Sequence, residues 1–321
     1  MRAAVVVAMI GLIAATWAFT PDDTYISLRY ANAEHAAEFN RGERYEGYVC
    51  PLWLLMLRGS GEGFAKAVSA VAAAAAVIAW PVLAAIPWMP MHGASGMETA
   101  LAMLLAGLAV VWYREWEFKL SAVCVLLLAL CRPEMALLSP LLLARRAARA
   151  TALLWFFLPF AAYWGLRWAY FGSFLPAPIT AKLHGAPAFN YGYRYAMPLL
   201  AAGAAWLQIP ARRAAVLVLL MLPLTLRATQ KAIDYHEGLE RGYGAIASRV
   251  VREGVESISI DTPGLVAYKT GVRVVDPNGI AASSAGEAQM RVRILRSPAK
   301  GAYYVNDNYW LIVDEKVGAR E

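Results

Sequence analysis

An all-α polytopic membrane protein with a small C-terminal α/β extracytoplasmic domain is the fold class this sequence predicts, and three observations predict it. Hydrophobic residues make up 60% of the 321 and charged residues only 17%, far from the balance of a soluble domain. Apolar runs recur along residues 1–226, separated by short polar stretches. From residue 227 to 321 the composition shifts to short β-like runs punctuated by Pro-Gly, Thr-Gly and Pro-Asn-Gly.

The apolar runs lie at 3–19, 51–57, 64–88, 98–113, 119–131, 133–144, 151–171, 191–209 and 214–226. A perpendicular span needs roughly twenty residues, so the shorter runs must tilt, enter part way or pair as hairpins, and about nine transmembrane helices are expected. The first run is expected to be retained, because Trp17-Ala18-Phe19 makes a poor small-residue cleavage site. Residues 24–38 lack Pro and Gly and repeat Tyr25, Leu28, Ala31, Asn32 and His35 at helical spacing, which predicts a helix lying on the membrane surface. If the spans alternate, Arg2, Arg58, Lys66, Arg114, Lys119, Arg145, Arg146, Arg149, Arg212 and Arg213 all fall on the cytoplasmic side. The outer face then receives Asp22-Asp23, residues 89–98, Arg132-Pro133-Glu134, residues 172–190 and the tail. In that tail Ser257-Ile258-Ser259-Ile260, Val272-Arg273-Val274-Val275, Tyr303-Tyr304-Val305 and Trp310-Leu311-Ile312-Val313 read as strands.

The net charge of +7 comes from basic residues scattered at the ends of apolar runs, which reads as membrane topology and excludes nucleic acid as a partner. Cys50, Cys124 and Cys131 show neither metal spacing nor a disulfide framework. No cofactor is expected, and the question of a divalent metal stays open.

Chemistry concentrates on the outer face. Asp22 and Asp23 follow an apolar run directly and precede a helical pattern, so one can cap the helix, and an acidic pair there can also bind a cation, relay protons or act as a general base. Arg29, His92, Arg132, Lys182, His184 and Arg194 offer donors for an anionic group such as a phosphate. Each has a plainer reading: Arg132 as an ion pair with Glu134, the histidines as loop residues, Arg194 as a snorkelling cation. Trp53, Trp88, Tyr163, Trp164 and Trp168 read mostly as an interfacial belt, while Tyr25, Tyr48 or Trp53 can stack on a sugar ring.

The stretch Asp22-Asp23-Thr24-Tyr25-Ile26-Ser27-Leu28-Arg29-Tyr30, followed by Phe39-Asn40-Arg41-Gly42-Glu43-Arg44-Tyr45-Glu46-Gly47-Tyr48 and Pro51-Leu52-Trp53, resembles the first outer loop of GT-C glycosyltransferases. It is most similar to the group containing the mycobacterial terminal arabinofuranosyltransferases. Further similar pieces follow in order: Gly96-Met97-Glu98-Thr99, Arg132-Pro133-Glu134, Ala181-Lys182 after Pro176, Gly264-Leu265-Val266-Ala267-Tyr268 and Val275-Asp276-Pro277-Asn278-Gly279. The chain departs from the family pattern at residues 32–38, where a glycine pair is usual, and at Val49 and Ala177. The resemblance implies a GT-C-like inverting transferase that passes a sugar from a polyprenyl-phosphate donor to a glycan, lipid or protein acceptor, in the cell membrane with an extracytoplasmic active site. The family's aspartate base carries over to Asp22 or Asp23, provisionally Asp22, with Asp23 orienting the acceptor or sharing the base role. Lys182 and Arg132 are expected to converge on the donor phosphate, with Arg29, His92 and Arg194 as further candidates. Glu46, Glu98 and Glu134 join Tyr25, Tyr48 and Trp53 as candidates for acceptor or sugar contacts. Two other readings are a lipid-linked sugar transporter or flippase and a non-catalytic scaffold of a larger glycan synthase.

Overall fold

The computed structural model describes residues 1–34, 38–184, 192–306 and 309–314, and begins with the apolar helix α1 (Arg2–Ala15). The Thr16 hydroxyl closes this helix by donating to the Leu12 carbonyl at 2.6 Å. A short turn leads into α2 (Asp22–Ala31), which stops earlier than the expected 24–38 helix. The stop has a local cause: the Asn32 side-chain amide donates to the Leu28 carbonyl at 2.9 Å and competes with the next turn.

The helix α3 (Pro51–Leu57) has seven residues, too few to span a bilayer, and Asn32 also donates to the Ser60 carbonyl, which ties the chain after α3 to the end of α2. The next helix, α4 (Glu62–Ala79), therefore starts beside α2, where Thr20 donates to Glu62 at 2.6 Å and Lys66 to the Trp17 carbonyl at 2.8 Å. Lys66, expected opposite Asp22-Asp23, thus sits at the Asp22 end of the molecule.

Trp80, forced out of helical geometry by Pro81, ends α4. A 3-10 turn over 81–85 and α5 (Met89–Ala94) return the chain to the start of α4. Helices α6 (Thr99–Arg114) and α7 (Phe118–Cys131) form an antiparallel pair that ends at Arg132, extended before Pro133. A 3-10 turn over 133–138 and α8 (Ser139–Leu143) follow, then α9 (Arg149–Ala152), a π turn over 153–157 and α10 (Leu158–Phe171). Last in this half come α11 (Ala177–His184), α12 (Gly192–Leu207) and the long α13 (Ala211–Glu253).

Among the described residues only two helices are long and apolar enough to cross a membrane, α4 with 18 residues and α13 with 43, so the expectation of about nine transmembrane helices fails. The other apolar runs fold into helices of 14 to 16 residues, such as α1, α6 and α7, or break into short turns at Pro81, Pro133 and Pro140. Apolar side chains still face outward on α10 and the first half of α13, among them Leu158, Leu166, Leu220 and Leu224.

The change of character expected at Arg227 falls inside α13, whose second half packs on a sheet. The tail forms β1 (Ser257–Ser259), α14 (Gly264–Thr270), β2 (Arg273–Val275), β3 (Met290–Leu295), β4 (Tyr303–Asn306) and β5 (Tyr309–Asp314). Their order is β2-β1-β3-β5-β4, with β1 parallel to β2 and β3, and β5 antiparallel to β3 and β4. The expected strands all form, and β3 is an addition. Ile258, Val274, Val292 and Leu311 on the sheet share one core with Leu239 and Tyr243 of α13, Tyr25 and Leu28 of α2, and Trp53 and Leu57 of α3. Residues 22–57 and the tail are therefore one packed unit, far apart in sequence.

Candidate active site

The unit is joined by charges on α2. Asp22 is buried, and its two carboxylate oxygens accept the backbone N–H of Gly264 at 2.9 Å and of Leu265 at 2.8 Å, the first amides of α14. Seven residues along the same face, Arg29 donates to the carbonyls of Ala267, Gly271 and Val272 at the other end of α14. Two turns of α2 rise by roughly 10 Å, about the length of the short helix they grip. Each end of α14 thus meets the charge its dipole favours. Burial pushes the Asp22 carboxyl up to about 7, against the pull of the two amides, and the charges of Asp23 and Asp261 add to the rise.

These contacts change two assignments. Asp22, provisionally the base, is occupied by backbone amides, and Arg29, a candidate for the donor phosphate, is occupied by carbonyls. Asp23 points the other way: it is exposed and, among the described residues, makes no hydrogen bond or ion pair.

Beside it stands a second charged group. Gly96 adopts φ +74, a left-handed turn that suits glycine, and lies against Thr24. Thr24 donates to the Ser95 carbonyl and Ser69 to the Met97 carbonyl, both at 2.8 Å, which sets Glu98 at the start of α6. Arg132 reaches the buried Glu98 at 2.8 Å, the Thr99 hydroxyl at 2.9 Å and the half-buried Glu134 at 3.3 Å. Burial raises the Glu98 carboxyl, Arg132 opposes the rise, and Glu134 and Asp23 reinforce it. Arg132 is therefore held by two carboxylates and a hydroxyl, not open to a phosphate as expected.

The remaining candidates divide by burial. Tyr25 is buried with its ring 5.5 Å from Tyr268, and Trp53 is fully buried in the same core, so neither can stack on a sugar as expected. Helix α2 packs on α14, and α3 on α2 and α7. Tyr48 is half-buried between Tyr30 and Phe171. His92 is buried in α5. Lys182 and His184 lie in α11 and Arg194 in α12, but their side chains fall outside the described residues, as does the expected approach of Lys182 to Arg132.

No family model, characterised protein or solved structure matches the chain.

Glu46, a candidate sugar contact, is instead paired with Arg167 of α10, whose Nε donates at 2.8 Å and whose Nη1 donates to the Phe174 carbonyl at 2.8 Å. Both side chains are buried, and the Glu46 carbonyl also accepts the Ala177 N–H, so the pair binds the polar loop to α10 and α11. Sequence reasoning passed over Arg167 as one residue in an apolar run; a lone charge in such a run was the signal that a buried partner awaited it. Two open clefts lie elsewhere: one of about 290 Å³ at Arg29, Asn32 and Tyr268, another of about 660 Å³ at Glu240, Ser248 and Lys269. Among the described residues no group of three His, Cys, Asp or Glu side chains is placed to hold a metal.

Proposed function

We propose that the protein is a membrane glycosyltransferase that moves a sugar from a polyprenyl-phosphate donor to an acceptor hydroxyl, with Asp23 as the general base. The observation that carries this reading is the division of the acidic pair: Asp22 is spent on the amides of α14, while Asp23 is exposed and unengaged beside Glu98. In the reaction Asp23 takes the acceptor proton, the freed oxygen forms a bond to the anomeric carbon, and the bond from that carbon to the phosphate oxygen breaks with inversion. Polyprenyl phosphate leaves with the electron pair, and Lys182 and Arg194 are the cations assigned to it. The outward leucines of α10 and α13 support a seat in the bilayer, where such a donor resides.

A second reading is a non-catalytic scaffold of a glycan synthase. It is favoured by the structural use of Asp22 and Arg29 and by two clefts that Asp23 does not line. One experiment separates them: purified protein is given a panel of polyprenyl-phosphate sugars and release of the lipid phosphate is followed. Turnover that falls by about two to four orders of magnitude in Asp23→Asn, the scale of a lost general base, supports catalysis. Absence of turnover with every donor, or full activity in Asp23→Asn, removes it.

A further inference from the structure

Helices α2, α13 and α14 share a core with Ile258, Val274, Val292 and Leu311 on one face of the sheet. The opposite face carries exposed arginines beside apolar side chains, with Val275 buried on it and Ile312 opposite Arg293. Arg291 and Arg293 are exposed and alternate with the buried Met290 and Val292 along β3, and Arg273 is exposed in β2. Strand register continues this face across β5, where Asp314 stands opposite Arg291 and Trp310 opposite Leu295, and on to Tyr304 of β4, opposite Trp310. The Tyr304 and Trp310 rings lie 6.0 Å apart.

Asp314 is held by Arg293, whose Nη2 donates at 2.7 Å. The side chains of Arg273 and Arg291 make no hydrogen bond or ion pair among the described residues. Residues two apart on one strand face lie roughly 7 Å apart, and strands two apart in a sheet roughly 10 Å. Arg273 and Arg291 therefore form a spread row, with Arg273 beside Gly286 of the chain that follows β2, the Trp310 ring at the β5 end, and the Tyr304 ring under the Arg241 guanidinium of α13 at 5.2 Å. A row of this kind complements a charged chain laid along it better than one compact anion, and rings offer flat faces to sugars.

We propose that this face binds an anionic glycan, with its acidic groups on Arg273 and Arg291 and a sugar ring against Trp310. The positive face stands on the geometry alone; the preference for a glycan over other polyanions rests on the transferase reading.

The test uses the full-length protein in detergent and a fluorescent oligogalacturonate, with a dextran oligosaccharide of equal length, an oligouridylate and phosphatidylglycerol vesicles as comparisons. The expected result is oligogalacturonate binding that weakens as salt rises, falls about tenfold or more in Arg273→Gln/Arg291→Gln, and falls in Trp310→Ala. Dextran should not bind. Unfolding temperatures of the variants should match the parent, since both arginines are exposed and unpaired; a variant that melts early is replaced by Arg291→Lys, which should bind. Equal binding of dextran, tighter binding of oligouridylate or of the vesicles, or unchanged affinity in the double variant overturns the proposal. Asp23→Asn should bind the oligogalacturonate normally. Loss of turnover in Asp23→Asn with no oligogalacturonate binding by the parent defeats this inference alone; normal turnover in Asp23→Asn with intact binding defeats the transferase reading alone.

Discussion

Asp22→Ala is the substitution that most directly tests whether the first carboxylate is structural. It leaves the amides of Gly264 and Leu265 buried without acceptors, and an unsatisfied buried donor costs about 1–3 kcal/mol. Two of them give roughly 2–6 kcal/mol, and relief from burying an ionised carboxylate moves the net toward the lower end. A loss of about 2 kcal/mol corresponds to roughly 30-fold in the opening equilibrium of α14. Amide exchange over residues 264–272, read by mass spectrometry at pH 7.5, should accelerate by that order, and Arg29→Gln should do the same from the other end of the helix. The two variants should also lower the unfolding temperature together. Unchanged exchange over 264–272 in Asp22→Ala, with lipid-phosphate release abolished, would refute this reasoning and return the base to Asp22.

Three further outcomes follow from the same contacts. Because burial lifts the Asp22 carboxyl to about 7, the folded chain holds this proton more tightly than the unfolded one; its contribution is full below about 4 and declines as pH rises to about 7, so the stability difference between parent and Asp22→Asn should change across that window and be flat above it. Breaking the buried Glu46–Arg167 pair with Arg167→Met should cost about 3–5 kcal/mol in denaturant unfolding, and adding Glu46→Gln should recover a large part, whereas equal losses in the single and double variants would show that the pair is not what holds the loop. In Gly47→Ala the new Cβ would stand 2.2 Å from the Ala281 carbonyl oxygen, so the loop and the tail must separate, and the purified variant should show early melting and rapid exchange around residue 281.

The short strands were legible because alternation and turn residues act locally, and four of the five were found from Ser257, Val272, Tyr303 and Trp310 alone. β3 was missed because Met-Arg-Val-Arg-Ile-Leu places arginines on its open face, and a charge-rich run reads as a surface loop. The helix count failed for a different reason. Apolar composition reports what a segment can bury, but Pro81, Pro133 and Pro140 and the Asn32 hydrogen bonds decide how far each helix runs. Residues 51–57 show the consequence: an apolar stretch bounded by polar turns became a packed piece of the α/β core, and Lys66, expected opposite Asp22-Asp23, lies beside Trp17.

The motifs of the first loop carried a signal whose meaning lay about 240 residues away. Asp22 meets Gly264 and Leu265, Arg29 meets Ala267 and Val272, Asn40 both donates to and accepts from Val274, and Tyr45 donates to the Gly279 carbonyl. Every one of these joins a distinctive piece of the first loop to a distinctive piece of the tail, so a residue pattern that looks catalytic in one dimension is largely an interlock in three. Adjacent carboxylates repel, and folding resolves that repulsion by giving one of them two backbone donors and leaving the other to solvent. The interlock then positions Asp23: its neighbour is pinned to α14, its own helix is gripped six residues on, and Thr24 ties it to the loop that sets Glu98. In the proposed transferase a base must be held where its substrate arrives, and the residues that resemble chemistry here would supply that rigidity to Asp23.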